Sequence, residues 1–269
     1  VRLFWSLLFL SVPIFGVGLL AISAMLKHGW LPENISTHGG GLDGLFYIIL
    51  AITGIVFVAT ELMLVWAMFT GRGNNGGKST FVHGNRTLEI TWTAVTSGIL
   101  LFVALYQIPI WRLAKFQSQK PKTDVDALVT ASQFLWEIRY PAWDEKANKP
   151  YRLNTLSPDL GASFQLVNEL HIPPTSDAER YPVLIHLTTR DVIHSFWIPA
   201  CRVKQDALPG HIIPVWFDAT KPGAYEWVCA ELCGWGHFRM RAKLVVHESL
   251  DDYYSWLKEQ SRIQLGVGK

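Results

Sequence analysis

Three long apolar runs occupy the first 114 of the chain's 269 residues. They span 3–26, 45–69 and 90–112. The second holds one charge, Glu61, and the third none before its closing Arg112. Each exceeds the roughly 20 helical residues that cross a bilayer core, so buried core helices are a poor reading and three transmembrane helices a good one. The first run is longer than the apolar core of about 7–15 residues in a secretory signal, so it is expected to stay as a signal-anchor. Residues 1–114 carry only six basic and four acidic side chains, whereas 115–269 carry 18 of each. The chain therefore divides into an oily anchor (1–114) and a polar, locally neutral part (115–269), with a linker expected near 115–122.

Composition excludes several classes. A net charge of +2 is not that of a strongly basic nucleic-acid binder. Three cysteines cannot staple a disulfide scaffold. Twelve Trp, 14 Phe and eight Tyr are incompatible with disorder. The loop 70–88 holds Arg72, Lys78 and Arg86 and no acid, whereas 27–44 sets Lys27 against Glu33 and Asp43. The positive-inside bias puts 70–88 in the cytoplasm and delivers 115–269 to the outer face.

The polar part reads as β. Strands are expected at 132–140, 164–168, 183–188, 212–218, 224–229 and 242–246, punctuated by Pro and Gly as in a sandwich or barrel. The tail 250–263 has helical spacing, with Leu250, Tyr254, Leu257 and Ile263 on one side.

The strongest chemical signal is Cys229-Ala-Glu-Leu-Cys233-Gly-Trp-Gly-His237-Phe-Arg-Met240, with His194 upstream. Thiolate, thioether and imidazole together select copper above most metals. Two thiolates four residues apart can each bridge a pair of copper ions, with one His on each ion. Met240 and the Glu231 backbone carbonyl would complete the weak positions. A structural Cys229–Cys233 disulfide explains neither His nor Met, and zinc on Cys2His2 leaves Met240 without a role. His186 is expected in a strand as a hydrogen-bonded core or rim residue. His28, His38, His83, His171, His211 and His247 are expected at surface or loop positions. Cys201 is expected to be a small buried hydrophobe.

With these residues in view, the chain resembles subunit II of haem-copper cytochrome c oxidase over about 45–250. The resemblance implies a helical membrane anchor followed by an all-β cupredoxin-like barrel with a C-terminal helix. It implies a dinuclear CuA centre held by His194, Cys229, Glu231, Cys233, His237 and Met240, beside haem-bearing subunit I and other oxidase subunits. The Glu231 side chain matches the residue that reaches a Mg²⁺ (or Mn²⁺) shared with subunit I. Glu89, in Leu-Glu-Ile-Thr-Trp-Thr, matches the carboxylate at the mouth of a proton pathway. The residues alone equally support a carboxylate stabilised at a helix N-terminus.

The implied function is electron acceptance in a proton-pumping terminal oxidase, from cytochrome c or a complex-bound c-type cytochrome to haem and O₂. The implied place is the bacterial inner membrane, with the copper domain outside. The aromatic segment Gln133-Phe134-Leu135-Trp136 matches that through which the family takes in electrons, but the key position is Phe134 rather than Trp. Trp235, inside the metal loop, is the candidate to replace it, with a packing residue over the site as the competing reading. Two further departures are a third helix and Thr96 in place of a helix proline. A membrane-anchored copper-delivery module without oxidase partners is the alternative function.

Overall fold

In the computed structural model, which describes residues 2–25, 31–70, 83–116, 120–155, 162–176 and 180–266, the apolar runs are three helices. They are α1 (Arg2–Met25), α2 (Gly39–Thr70) and α3 (Arg86–Lys115). All three are long and apolar enough to cross a membrane. At 32 and 30 residues, α2 and α3 outlast the expected runs, because polar ends can continue a helix beyond the bilayer core. The α3 start is explained by Asn85, whose side-chain oxygen accepts the Leu88 N–H at 3.1 Å in the manner of an N-cap. Thr96 keeps the backbone N–H that a proline would remove, and α3 runs through it unbroken.

Large apolar side chains point outward on all three helices, among them Phe15, Ile55, Trp66 and Leu100, a surface that lipid satisfies and water does not. The Thr53 and Thr60 hydroxyls donate to carbonyls one turn back, at 2.8 and 3.0 Å, so they present no unmet polar group to that surface. Lys27, His28, the loop positions Arg72 and Lys78, and 117–119 of the expected linker lie outside the described residues.

A second compact unit comprises Leu31–Gly40 and Trp111–Lys269. Its strands are β1 (Ala127–Ser132), β2 (Leu135–Pro141), β3 (Trp143–Asp144), β4 (Lys149–Pro150), β5 (Ser163–Val167), β6 (Glu169–Ile172), β7 (Val183–Thr189), β8 (His194–Ile198), β9 (Val203–Ala207), β10 (Ile213–Phe217), β11 (Gly223–Cys229) and β12 (Arg241–Val246). They form two five-stranded sheets, β10-β7-β1-β2-β5 and β6-β12-β11-β8-β9, and a β3–β4 pair. Trp136, Ile138, Ile185, Leu187, Phe196, Trp227 and Leu244 are fully buried in the core. The helical anchor and this cupredoxin-like β domain agree with the expected fold class. The expected strand at 132–140 is in fact the end of β1, a turn, and β2. β6, β8 and β9 lie outside the expected strands; none alternates strictly between buried and exposed residues, so a period-2 pattern does not mark them.

The segment Leu31–Gly40, expected in the anchor, is built into the β unit. Ile35 is fully buried there. Its N–H donates to the Ala200 carbonyl at 3.0 Å and its own carbonyl accepts from Thr220 N–H at 2.6 Å. The buried carboxylate of Asp218 accepts from the Ser36 hydroxyl at 2.9 Å, the Thr37 N–H at 3.0 Å and the Thr37 hydroxyl.

The final helix, α4 (Leu250–Leu265), is capped by Ser249, whose hydroxyl accepts the Asp252 N–H at 3.1 Å. Its buried face is Tyr253, Leu257 and Ser261, at i, i+4, i+8; of the expected residues Leu257 is fully buried and Tyr254 packs half-buried against the core, whereas Ile263 is exposed. The Ser261 hydroxyl decides the rotation, because it accepts the Trp143 N–H at 2.9 Å and donates to Leu257 O at 2.7 Å.

Candidate metal centre

Two adjacent strands and one loop build the centre. His194 is the first residue of β8, Cys229 the last of β11, and Met240 directly precedes β12. β8 and β11 are paired, with Cys229 opposite Phe196, which cancels the 35-residue separation of His194 from Cys229. The loop 230–239 joins β11 to β12, and its ends are tied by the Cys229 N–H donating to the Met240 carbonyl at 3.0 Å. Inside it Gly234 has φ of +136°, open only to glycine, and a Cβ there would sit 2.8 Å from Gln133 Nε2.

The donor atoms converge as the motif predicts. Cys229 Sγ lies 3.9 Å from Cys233 Sγ and 3.9 Å from His194 Nδ1. Cys233 Sγ lies 3.7 Å from His237 Nδ1 and 3.8 Å from Met240 Sδ. The Glu231 carbonyl is 3.2 Å from Cys229 Sγ. Each thiol thus has one imidazole beside it, the thioether beside Cys233 and the carbonyl beside Cys229. The ligand atoms of His194, Cys229 and Cys233 lie within 4.8 Å of one another, and all three residues are buried.

The two thiols oppose each other's ionisation. Burial opposes ionisation of Cys229, but hydrogen bonds from His194 and at the Ser195 and Glu231 backbone outweigh it and bring the thiol down to about 6. Burial and then repulsion from Cys229 push Cys233 up to about 12. Like charges this close cannot both form unaided; a bound cation would allow both. Burial likewise disfavours protonated His194, but its bonds to Cys229 and Asp191 prevail and move it upward. The donor set and its spacing fit soft metal ions.

Asp191 was not recognised as part of the site from sequence. Its Oδ1 is 2.8 Å from His194 Nε2, which leaves Nδ1 facing the thiols; its other oxygen accepts the Gln133 N–H at 2.7 Å. A carboxylate on the far nitrogen of a metal-binding His fixes ring and tautomer. Its position three residues before His194 was the available signal. Gln133 ties the loop from the other side, donating to the Cys233 carbonyl at 2.6 Å.

The aromatic candidates separate by exposure. Trp136 is fully buried, its ring centroid 6.1 Å from that of His194 and 4.7 Å from that of Trp227. Trp235 is 73% exposed. It stacks on Phe134 with centroids 6.4 Å apart, and the Arg239 guanidinium lies 4.8 Å from its ring centre. Leu232 and Phe238 are also exposed on this loop. Glu231 has its side chain at the surface, and Glu89 is exposed in the first turn of α3. Cys201 is buried, and burial pushes its thiol up. His186, on β7, bonds Thr155 Oγ1 at 2.5 Å. Contrary to expectation, His171 and His247 are buried.

Comparison with known proteins points to one family. Residues 124–248 match the model of the cytochrome c oxidase subunit II periplasmic domain, and residues 30–110 match that of its transmembrane domain. The chain is 32% identical to cytochrome c oxidase subunit 2 of Thermostichus vulcanus, over 88% of this chain and 80% of that one. It is 30% identical to the alternative cytochrome c oxidase subunit 2 of Bradyrhizobium diazoefficiens, over 90% and 89%. A solved periplasmic domain of cytochrome oxidase subunit II from Bradyrhizobium japonicum covers 54% of this chain and 98% of its own length, at 28% identity and a TM-score of 0.40.

Proposed function

The chain belongs to the cytochrome c oxidase subunit II family, and we propose that it is the electron-accepting subunit of a proton-pumping terminal oxidase. In this reading it takes electrons from cytochrome c, or a complex-bound c-type cytochrome, and delivers them to haem in subunit I for reduction of O₂ to water. The protein sits in the bacterial inner membrane, with the β unit on the outer face. The observation that supports this best is the convergence of His194, Cys229, Glu231, Cys233, His237 and Met240 around two thiols 3.9 Å apart.

These six residues would hold a dinuclear copper centre of the CuA type. Such a centre would supply one-electron storage with little change of geometry. The remaining work falls to the chain itself. Asp191 aims His194 at the thiols. Trp136 packs edge-on to His194, with fully buried Phe196 and Trp227 packed on it in turn, and a low-dielectric surround of this kind strengthens the polar contacts made inside it. Trp235, exposed and stacked on Phe134, offers the donor an aromatic contact surface, a role that buried Trp136 cannot fill by direct contact. The exposed Glu231 carboxylate is available to a Mg²⁺ or Mn²⁺ shared with subunit I. Glu89, at the cytoplasmic end of α3, is assigned to proton uptake.

Electron paramagnetic resonance of the copper-loaded full chain tests the centre. A seven-line mixed-valence signal is expected; a four-line signal means a mononuclear site and refutes it. The copper-delivery alternative would show copper that a Cu(I) chelator strips readily.

A further inference from the structure

Away from the metal centre, four side chains form an unbroken row. Glu169 Oε1 lies 3.1 Å from His171 Nε2. His171 Nδ1 lies 3.0 Å from His247 Nε2. His247 Nδ1 lies 2.8 Å from Asp252 Oδ2. Strand register creates the meeting: β6 and β12 run parallel with His171 beside Val245, and the His247 N–H donates to the Ile172 carbonyl at 3.0 Å. Both imidazoles are largely buried, the His171 side chain 11% and the His247 side chain 8% exposed. The Trp256 ring of α4 lies flat on His171, centroids 4.0 Å apart at 9°, and Tyr253 packs edge-on against His247 at 5.6 Å.

Hydrogen arithmetic sets the protonation state. Each carboxylate accepts, so His171 Nε2 and His247 Nδ1 carry hydrogens. The inner contact needs one more hydrogen between His171 Nδ1 and His247 Nε2. Three hydrogens on two imidazoles amount to one positive charge, shared across the inner bond and flanked by two anions. A fourth hydrogen would set two N–H groups against each other at 3.0 Å, and the pair would have to part. The inner separation suits a proton rather than a metal ion, because both carboxylates sit on the outer nitrogens and no third ligand reaches the inner ones among the described residues.

We propose that the His171–His247 pair is a proton-locked clamp that makes the seating of α4 on the β unit pH-dependent, closed with one shared proton and released when a second is added. The anchorage is direct, since Asp252 and Trp256 of α4 hold one imidazole each. The other groups facing the pair are Lys243, 3.7 Å from Glu169, and the Tyr140 hydroxyl, which bonds the His171 backbone N–H at 2.5 Å and carbonyl at 3.2 Å. Lys243 opposes a further positive charge, and burial keeps Tyr140 neutral by pushing it up.

The sign is definite. Burial and then the His247 charge bring His171 down from 6.5 to about 4. The released state therefore binds the extra proton more readily. Between those two values each pH unit downward favours release by about tenfold. Asp252 is held below its ordinary 3.8, chiefly by the His247 hydrogen bond, so its own protonation would act only in stronger acid.

Hydrogen–deuterium exchange on the full chain in detergent micelles tests the clamp, with rates corrected for the intrinsic pH effect. Peptides covering 250–265 should lose protection as pH falls from 6.5 toward 4.5, approaching tenfold per unit, while peptides of β7 hold theirs. In His171→Gln and His247→Gln the α4 signal should become flat over this range. Wild-type α4 protection that is constant from pH 7.5 to 4.5, or that begins to fall only below pH 4, overturns the proposal. So does a loss shared equally by β7. The wild-type comparison of the two peptides decides the matter even if a variant fails to fold. The clamp is independent of the function proposed above.

Discussion

Replacing Gly236 by alanine isolates how the loop 230–239 rests on Phe134. The Gly236 backbone has φ of −88° and ψ of 6°, values open to any residue, so alanine adds no conformational strain. The cost is steric. A Cβ at this position would meet Phe134 Cδ2 at 2.4 Å, Cγ at 2.6 Å and Cε2 at 2.8 Å. Carbon atoms settle near 3.5 Å, so ring or loop must give way by about 1 Å. The ring is flanked by Trp235, which stacks on it, and by Gly234, which lies close enough that a Cβ there would be 3.2 Å from the ring. Overpacking of this kind costs about 1–3 kcal/mol, or roughly 5- to 150-fold in the folded-to-unfolded ratio. Phe134→Ala in the same chain should relieve the clash, so the double variant should be more stable than the sum of the singles by at least about 0.5 kcal/mol. Urea unfolding of the full chain in micelles, followed by near-ultraviolet circular dichroism, measures all four proteins. An unchanged midpoint in Gly236→Ala, or strict additivity in the double variant, would refute this account of the loop.

Asp191→Asn should weaken copper binding by about 10- to 100-fold, as loss of a carboxylate behind a ligating imidazole does; competition with a chromogenic chelator reads this, and wild-type affinity would remove the positioning role. Trp235→Ala should leave the copper resonance signal intact while slowing flash-initiated reduction by the donor in the assembled oxidase. Equal rates would assign Trp235 to packing alone, and Phe134→Ala provides the companion measurement. Asp218→Ala strips the acceptor from two hydroxyls and one N–H, at about 1–3 kcal/mol for each buried donor left unpaired. Residues 31–40 should then become sensitive to limited proteolysis at protease concentrations that spare the wild type.

Much of the site was legible because its residues are close together in the chain. Cys229, Cys233, His237 and Met240 lie on one twelve-residue stretch, and their chemistry excludes most other uses. His194 could be named as a partner by residue type, but its distance from Cys229 could not be known without the pairing of β8 with β11. Asp191 escaped notice because a single carboxylate near a histidine is common, and only the 2.8 Å contact distinguishes it. Sequence alone offers both Trp136, in the aromatic segment, and Trp235, in the metal loop, as aromatic candidates. Burial alone separates them, and burial belongs to the folded domain.

The amino-acid sequence by itself determined the helical spans, the β character of the polar part and the cluster of thiols, imidazole and thioether on one short stretch. These depend on run length, on alternation and on residue chemistry over short stretches, which near neighbours encode. Tertiary structure decided that residues 31–40 belong to the β unit, which face of α4 is buried, and that His171 and His247 share a hydrogen bond. Each of these depends on strand register or on a side-chain contact between distant segments. Such contacts form only when the core closes and dictates which backbone lies beside which, a condition that no local periodicity carries.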